Sequence, residues 1–579
     1  MKKQRTLSFL FVALLALVVF AACNTNNNDN AAVDVPDAGT SAQDNQAQTN
    51  DIGEGALDTV QFLNLALGEE PRSIDASLTS EAVGGTILTN IREPLTRIIP
   101  LYPESGYMFE PAGARSWESN ADGTVWTFHL NNNYWEDGVP VTAHDYVFSM
   151  RRTVAPETGA PLSFMLAPLL HFDEVNAGEL PLESLGVRAI DDMTLEISLT
   201  SPVPFFMNLT TDRVMMPQRE DIIALHGERY GSGGEFTIAN GPFRIESWNQ
   251  QSSIVLVRNE HYWDSDNVRL DTVTFHIMTD ATTRHHAFEA GEIDIVAVTT
   301  RQWRDHFYGM SGVIPTVGVP TQTITYAFFN TDDELFQNEN IRRAFMIAID
   351  RVELNEVAFD GFRIPTYGWI VPSISVGEYN FREHAGDPIR ELQANHPDPR
   401  ELLIQGMQEL GLGDDPSTLN VTFNLAGTDE WFRTLGEYLQ QIYSVNLGVN
   451  MQINFAEWGI FFDNVQNGNF QIGFMGWGAF FNEPFDVLNI FMSETNAVHT
   501  GWANAEFDEL INRAMVELDE WERLQLYIQA ERILIYDEAA VMPLATTTLN
   551  SFRRDFVRGV RPSTFGDAVL KYHYTSGRP

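Results

Sequence analysis

The sequence predicts a multidomain α/β protein, and three observations support this prediction. The chain has 579 residues, more than one ordinary domain holds, which favours two to four domains. Hydrophobic residues make up 44% of the chain, enough to form several buried cores. Strand and helix patterns both occur: residues 62–67 and 125–130 are typical of strands, and Thr142 is typical of the residue that caps a helix.

The charge and cysteine content narrow the class of protein. A formal net charge of -43 argues against binding to nucleic acid or to anionic lipid surfaces. Only Lys571 carries an amine downstream of the first few residues, and arginine supplies nearly all other positive charge. Cys23 is the single cysteine, so the chain cannot form an intramolecular disulfide.

The N-terminus has the pattern of a leader peptide. Residues 1–22 begin with positive charges, continue with an apolar run too short for a stable membrane span, and end in two alanines. The cysteine that follows resembles the bacterial lipobox, with Phe20 where leucine is more usual. This resemblance implies cleavage before Cys23 and a diacylglyceryl anchor on its sulfur. The alternative is a plain secretory leader with an incidental cysteine. Residues 23–58 are predicted to be a disordered tether, because their polar composition offers no core.

The most informative motifs follow the first strands. Asp122-Gly123 predicts a tight turn, residues 125–130 a strand, and Thr142 the start of a helix that continues through Arg151. Across this block and beyond, the chain resembles the extracellular solute-binding proteins of ABC importers, the family that includes oligopeptide- and dipeptide-binding proteins. The motifs that carry the resemblance are Trp135, Asp137-Gly138, Pro140-Val141-Thr142-Ala143, Asn240-Gly241-Pro242-Phe243, Tyr262-Trp263, Gly291-Glu292-Ile293-Asp294, Ile341-Arg342-Arg343-Ala344, Glu457-Trp458, Gly476-Trp477 and Asn482-Glu483-Pro484.

The resemblance implies a type II periplasmic-binding-protein-like α/β fold, with two lobes around a hinge and an additional inserted domain. We expect lobe I to comprise residues 59–92, 218–322 and 549–579. The inserted domain is expected at 93–217 and lobe II at 323–548. The segments that join the lobes, near 322 and 549, would form the hinge.

The stretch from Gly476 to Pro484 is the candidate centre of the ligand site. Two glycines around a tryptophan allow one main chain to approach another closely, since neither glycine has a Cβ. The resemblance implies two backbone walls around a peptide, which would be bound as an added strand. One wall would contain Ser80, Glu81 and Ala82, and the other Gly476, Trp477, Gly478 and Ala479. The alternative for the second stretch is a strand end whose aromatic side chains belong to a core.

The chain departs from its oligopeptide-binding relatives at the charged anchors. Those relatives carry an aspartate for the ligand's α-ammonium group where this chain has Phe480. Other charged positions of the relatives correspond here to Phe328, Val465, Gln466 and Phe474. We therefore expect an apolar, aromatic pocket and a preference for uncharged ligands, with Glu81 or Glu483 as possible substitutes for the missing aspartate.

Enzymatic readings find little support in the sequence. Carboxylate pairs such as Glu483 with Asp486, or Glu136 with Asp137, suit a glycosidase, but with 79 acidic residues such pairs arise by chance. His285-His286 are predicted to be solvent-exposed helix residues and not metal ligands, because adjacent helical side chains diverge. The chain has no P-loop and no visible nucleophile motif. We expect no catalytic residue, no cofactor and no metal.

The expected function is that of a non-enzymatic, lipid-anchored receptor on the outer face of the cell membrane. It would capture a peptide or peptide-like solute and deliver it to the permease of an ABC transporter, and we expect it to be a monomer. A receptor of the same fold for an oligosaccharide or another non-peptide solute is the first alternative. A secreted lipoprotein hydrolase is the second.

Overall fold

The computed structural model describes residues 56–100, 107–495, 499–562, 565 and 569–579. The predicted leader (1–22), Cys23 and nearly all of the tether lie outside these residues. The strands are β1 Phe62–Leu67, β2 Thr96–Pro100, β3 Tyr107–Pro111, β4 Ala114–Ser119, β5 Val125–Leu130, β6 Val187–Asp191, β7 Thr194–Ser198, β8 Phe243–Asn249, β9 Ser253–Arg258, β10 Thr272–Ile277, β11 Ile295–Ala297, β12 Val313–Phe329, β13 Arg363–Pro365, β14 Ser375–Val376, β15 Tyr379–Asn380, β16 Asn420–Leu425, β17 Asn450–Phe455, β18 Ile472–Gly478, β19 Val541–Arg554, β20 Val557–Arg558 and β21 Tyr574–Thr575.

The described α-helices all lie between the first and the last of these strands along the chain. They are α1 Ala82–Ile91, α2 Ala143–Val154, α3 Phe172–Asn176, α4 Phe206–Leu209, α5 Glu220–His226, α6 Ala281–Ala290, α7 Arg301–Tyr308, α8 Glu339–Ile347, α9 Arg351–Ala358, α10 Phe381–Ala385, α11 Pro388–Asn395, α12 Pro399–Glu409, α13 Glu430–Asn446, α14 Trp458–Gln466, α15 Pro484–Leu488, α16 Ala505–Ala514 and α17 Glu520–Arg532. None of the described helices is both long enough and apolar enough to cross a membrane.

The first large sheet has the strand order β1-β10-β9-β8, with β1 parallel to β10 and the other pairs antiparallel. Alternate residues of β1, namely Leu63, Leu65 and Leu67, are buried. This alternation follows from the two-residue period of a strand, and it places the core on one face of the sheet. The strand predicted at residues 62–67 is therefore present.

The second large sheet, β4-β5-β7-β6, is antiparallel throughout and lies within residues 114–198. The predicted strand at 125–130 is β5, and Gly123 in the turn before it has a φ of 67°. Helix α2 begins after Thr142, where Thr142 and Asp145 form a reciprocal capping box. Trp135 is fully buried beneath the guanidinium of Arg92, which lies 5.0 Å from the ring centroid.

The third large sheet has the order β11-β19-β12-β18-β16-β17, and β13 pairs with β19 beside it. Strands β12 and β19 are the long members, with 17 and 14 residues, and they pair antiparallel along most of their length. The C-terminal end of β19, residues 551–553, pairs with β11. The C-terminal part of β12, residues 323–329, pairs with β18. The register breaks between Pro320 and Ile324. The segments predicted to join the lobes, near 322 and 549, lie within these two strands; the lobe boundaries themselves stay a prediction.

One expectation about α6 is wrong. His286 is exposed as predicted, but His285 is buried against Trp303, with the two ring centroids 4.7 Å apart. Its Nε2 lies 3.2 Å from the carbonyl oxygen of Ala297, and burial lowers its pKa. The ring packs into the core formed by α6, α7 and β19 because one face of this short helix must be covered. Across the described residues, no cluster of three or more metal-ligating side chains is present.

Candidate ligand-binding site

One edge of strand β18 lacks a strand partner along more than half of its length. On one side it pairs with β12 from Ile472 to Gly478. On the other side, β16 pairs with it only at Ile472 and Gly473. In the part of the chain that the structure describes, no strand covers this second edge from Phe474 onward. The exposed residues Gly476 and Gly478 lie on this uncovered stretch.

The direction of the backbone groups follows from the register. The N–H of Ala479 donates to the carbonyl of Gln322 at 3.1 Å, so Ala479 faces β12. Residues of an antiparallel strand alternate in the side to which both of their backbone groups point. Gly476 and Gly478 therefore direct their N–H and C=O groups to the uncovered edge. Such an edge can accept an extended chain as an additional strand.

The turn that follows β18 carries aromatic side chains to the segment 93–217. Phe480 is 44% exposed and meets Phe164 edge-on, with 6.2 Å between ring centroids. Phe481 stacks on Phe205 at 5.2 Å, and Phe485 stacks on the same ring at the same distance. These contacts connect the end of β18 with the part of the chain that contains the second sheet.

Two buried acidic side chains fix this turn. The Asp486 carboxylate accepts the backbone N–H of Phe480 at 2.6 Å, and burial raises the pKa of Asp486 to about 7. Glu483 pairs with Arg523, whose Nε lies 2.9 Å from Glu483 Oε1. Both side chains of that pair are almost fully buried, and burial raises the pKa of Glu483 to about 7 against the opposing effect of Arg523.

The first predicted wall lies at the start of α1. Ser80 is half-buried and Ala82 is exposed. Glu81 precedes the helix, and its Oε1 accepts the backbone N–H groups of Arg72 at 3.0 Å and Ser73 at 3.4 Å. Glu81 therefore stabilises its own loop.

Arg213 lies between the loop before α1 and the turn after β18. Its Nη1 donates to the carbonyl of Glu81 at 3.1 Å. The same residue lines a cavity of about 80 Å³, together with Asp212, Phe480 and Phe481. Arg213 thus links the loop before α1 to a cavity beside the turn after β18, and the lining of this cavity is part charged and part aromatic.

The remaining predicted aromatic and apolar site residues are half-buried or buried and do not line this cavity. Trp477 is half-buried, and its Nε1 is enclosed with no hydrogen-bond partner among the described residues. Phe328 is fully buried in the core, 5.3 Å from the ring of Phe470. It lies beneath the sheet and not in the cavity, so we do not propose it as a ligand contact. Val465 and Phe474 are also buried.

The carboxylate pairs that suit a glycosidase are bound within the protein. Glu483 is paired with Arg523, and Asp486 binds the turn at Phe480. Glu136 accepts the N–H of Ala239 at 3.1 Å, and Asp137 pairs with Arg219 at 3.2 Å. Each of these four carboxylates thus has a structural contact.

The family described as "Bacterial extracellular solute-binding proteins, family 5 Middle" matches residues 108–498, more than half of the chain. The chain belongs to this family. The family membership expected from the sequence motifs is confirmed.

Individual members of family 5 are similar to the chain over most of its length. The dipeptide-binding protein DppE of Bacillus subtilis is 29% identical over 506 residues, which cover 87% of this chain and 90% of the relative. The oligopeptide-binding protein OppA of the same organism is 28% identical over 545 residues, covering 91% and 95%.

Solved structures of family 5 share the fold. The periplasmic murein tripeptide binding protein MppA, in its unliganded open form, superimposes with a TM-score of 0.75. The match covers 91% of this chain and 99% of that one, at 25% sequence identity. The predicted type II periplasmic-binding-protein-like α/β fold is therefore confirmed.

Several residues of this family 5 site could not be identified from sequence. From sequence, Asp486 stands out only as half of a carboxylate pair with Glu483, whereas in the structure its carboxylate accepts the backbone N–H of Phe480. Phe164 and Phe205 contact the turn from more than 270 positions away in the chain. No local pattern signals such contacts, because they depend on how separate sheets pack. A run of phenylalanines at 480, 481 and 485 was the only available indication that an aromatic partner exists.

Proposed function

We propose that this protein is a lipid-anchored extracellular receptor that captures a peptide or peptide-like solute and delivers it to an ABC transporter permease. It would act as a monomer and without catalysis. Relatives named for dipeptide and oligopeptide binding support the peptide as ligand. The proposal of a non-enzyme is supported by the structural contacts of the acidic pairs that suit a hydrolase.

The observation that carries this proposal is the uncovered edge of β18. Backbone hydrogen bonding is indifferent to the side chains of the bound strand, which suits a receptor for peptides of varied sequence. The exposed glycines Gly476 and Gly478 present their backbone groups at this edge. Phe480 and Trp477 would contact the ligand's apolar groups beside this edge.

Substitution at Gly476 tests this proposal. A Cβ at this position would meet nothing closer than 3.7 Å, so Gly476→Ala keeps the backbone N–H and fits. Gly476→Pro removes that N–H and places a ring on the uncovered edge. We expect Gly476→Pro to weaken peptide binding by about 1 kcal/mol or more, roughly fivefold in Kd, and Gly476→Ala to bind like the wild type.

Peptides that co-purify with the protein are first identified by mass spectrometry. Calorimetry then measures the affinity of each Gly476 variant and of the wild type for these peptides. Equal affinities for the two Gly476 variants would argue that the edge is not the peptide site. Recovery of an oligosaccharide in place of peptides would favour the alternative receptor, which exposed aromatic side chains such as Phe480 also suit. Turnover of peptides or glycosides would favour the hydrolase.

The proposed anchor and the proposed closure have separate tests. Cys23→Ser should release the protein from the membrane fraction, and unchanged fractionation would contradict a lipid anchor at this residue. Closure about β12 and β19 would follow from a ligand that contacts both lobes, since only differential affinity shifts such an equilibrium. Small-angle scattering should then show a smaller radius of gyration at saturating ligand, and an unchanged profile would indicate a rigid receptor.

A further inference from the structure

Phe205 lies at a contact between two parts of the chain, the segments 93–217 and 323–548. Its ring stacks on Phe481 with 5.2 Å between the centroids and 17° between the planes, and on Phe485 with 5.2 Å and 18°. These three rings form a phenylalanine clasp, in which Phe205 is almost fully buried. Paired aromatic rings attract each other beyond the area that they bury, so the clasp favours contact between the two segments.

Each side of the phenylalanine clasp is fixed within its own segment. Next to Phe205, the ring of Phe206 is fully buried beside those of Trp126 and Phe128, at 5.4 and 6.5 Å between centroids. On the other side, two buried carboxylates hold the turn that carries the partner rings. Because both bases are fixed, the rings can separate only if the two segments move apart.

The other contacts between these two segments also involve uncharged groups. Phe164 meets Phe480 edge-on at 6.2 Å, and the backbone of Asn482 forms a hydrogen bond with the side chain of Tyr107. No ion pair between described residues joins the segment 93–217 to the segment 323–548. The attraction between the segments therefore comes from uncharged groups, which salt does not screen.

The phenylalanine clasp lies between two openings at this contact. Phe481 lines the cavity of about 80 Å³, whereas Val203 and Pro204 line a groove of about 220 Å³, which Leu518 borders from the other segment. Phe205 is not among the described residues that line the cavity. A solute in the cavity would thus touch Phe481 but not Phe205, whose ring can act on the solute only by positioning Phe481.

The cavity is complete only while the two segments are in contact. Its lining includes Asp212 and Arg213 from the segment 93–217, and Phe480 and Phe481 from the segment 323–548. When only a fraction of a protein is competent to bind, the apparent dissociation constant is the intrinsic one divided by that fraction. A group that favours contact between the segments should therefore strengthen the binding of every solute by the same factor.

We propose that Phe205 is a positioning residue of this receptor: through the phenylalanine clasp it favours the arrangement in which the segments 93–217 and 323–548 are in contact, whatever the solute. This inference goes beyond the proposed capture of peptides, because the arrangement can be measured without a solute. It also differs from closure driven by the solute alone, in which differential affinity for the ligand would be the only force that brings the segments together.

Distances between two spin labels measure this arrangement directly. Cys23→Ser removes the single native thiol of the chain. Ile190→Cys and Val445→Cys then supply one label site in each segment, at positions that are 50% and 67% exposed. Electron paramagnetic resonance gives the distribution of distances between the two labels, and thermal melts establish that each labelled protein is folded.

The test variants, Phe205→Leu and Phe481→Leu, keep an apolar side chain but lose the stack. The matched control is Phe336→Leu, because Phe336 stacks on Phe329 at 5.1 Å within the segment 323–548. Without added solute, the labelled protein with an intact clasp should show mainly the distance of the structure. Each test variant should raise the ratio of longer to shorter distances about tenfold, and this change should be the same in low and high salt. The control should keep the original distribution.

Calorimetry with trialanine, trileucine and triserine measures the effect on binding. These peptides share a backbone and differ in their side chains. Phe205→Leu should weaken the binding of all three by one common factor, because it lowers the fraction of protein in the competent arrangement. Phe336→Leu should bind them like the wild type. Unequal factors would mean that Phe205 acts on particular side chains, which contradicts a positioning role.

Two results from the spin labels would overturn the inference. Unchanged distances in both Phe205→Leu and Phe481→Leu would show that the clasp does not set the arrangement. An equal change in Phe336→Leu would show that any loss of packing produces it. If Phe205→Leu does not fold, Phe481→Leu decides alone. If none of the peptides binds the wild type but the distances change as expected, peptide capture fails and the role of Phe205 stands.

Discussion

The two walls of the candidate cleft are held by different kinds of contact. Glu81 and Thr79 fix the loop before α1 through hydrogen bonds to residues 72 and 73, all within ten positions of the chain. The turn after β18 depends instead on distant segments, through the ion pair of Glu483 with Arg523 and the rings of the 93–217 segment. The Glu81 side chain of the first wall thus makes local contacts, although Arg213 and Arg152 also bind this loop from distant positions. The position of the second wall depends on tertiary packing and on a buried ion pair.

This difference predicts unequal sensitivity to mutation. Arg523→Met leaves the buried carboxylate of Glu483 without a partner, a change that typically costs about 3–5 kcal/mol. We expect a comparable loss in the free energy of unfolding measured with urea. Glu81→Ala removes two hydrogen bonds to backbone N–H groups of its own loop and should cost about 1 kcal/mol.

Two controls sharpen this comparison. Arg188→Met breaks a pair with Glu196 in which the arginine side chain is 66% exposed, so we expect a much smaller loss of stability than for Arg523→Met. Adding Glu483→Met to Arg523→Met removes the unpaired charge and should recover part of the stability. If Arg523→Met lowers the free energy of unfolding no more than Arg188→Met does, the pair of Glu483 with Arg523 does not stabilise the second wall.

Capping and strand patterns could be predicted from sequence because their causes are local. The Thr142 and Asp145 capping box needs two side chains three positions apart, and β5 needs only alternating apolar residues. The pairing of Glu483 with Arg523 spans 40 positions and could not be predicted in this way. Phe328 illustrates the same limit: its place on the core face of β12 depends on the sheets and helices packed against that strand.

The second wall should also respond to pH through Asp486. Its pKa is about 7 in the folded protein and close to 4 in an unfolded chain, so between these values the folded state binds more protons. Stability should therefore fall as pH rises from about 4 to 7, with a contribution that approaches about 1.4 kcal/mol per pH unit, and level off above pH 7.

Asp486→Asn isolates this contribution. The variant retains an oxygen that can accept the N–H of Phe480 but cannot ionise. Its unfolding free energy, measured in urea at pH 5, 6, 7 and 8, should decline less steeply with pH than that of the wild type. Glu483 also has a pKa of about 7, so part of the slope should remain. Identical slopes for both proteins would exclude Asp486 as a source of the pH dependence.

The smallest expected effect concerns the ligand's amino terminus. Phe480 is partly exposed and lines the cavity. The family resemblance implies an aspartate at this position in oligopeptide-binding relatives. A phenyl ring attracts a cation by about 0.5–2 kcal/mol, less than a hydrogen-bonded carboxylate can provide. Peptides with a free α-amine should therefore bind the wild type less than tenfold more tightly than acetylated ones. Phe480→Asp should raise that ratio.

Phe480→Asn is the matched control, because it has the size of aspartate without the charge. Calorimetry of free and acetylated versions of one peptide on the three proteins separates charge from shape: only Phe480→Asp should gain preference for the amine. A wild-type preference of tenfold or more, about 1.4 kcal/mol, would mean that another carboxylate binds the amine. Glu483 is buried against Arg523, so Asp212 in the cavity and Glu81 beside it would then be the residues to substitute next.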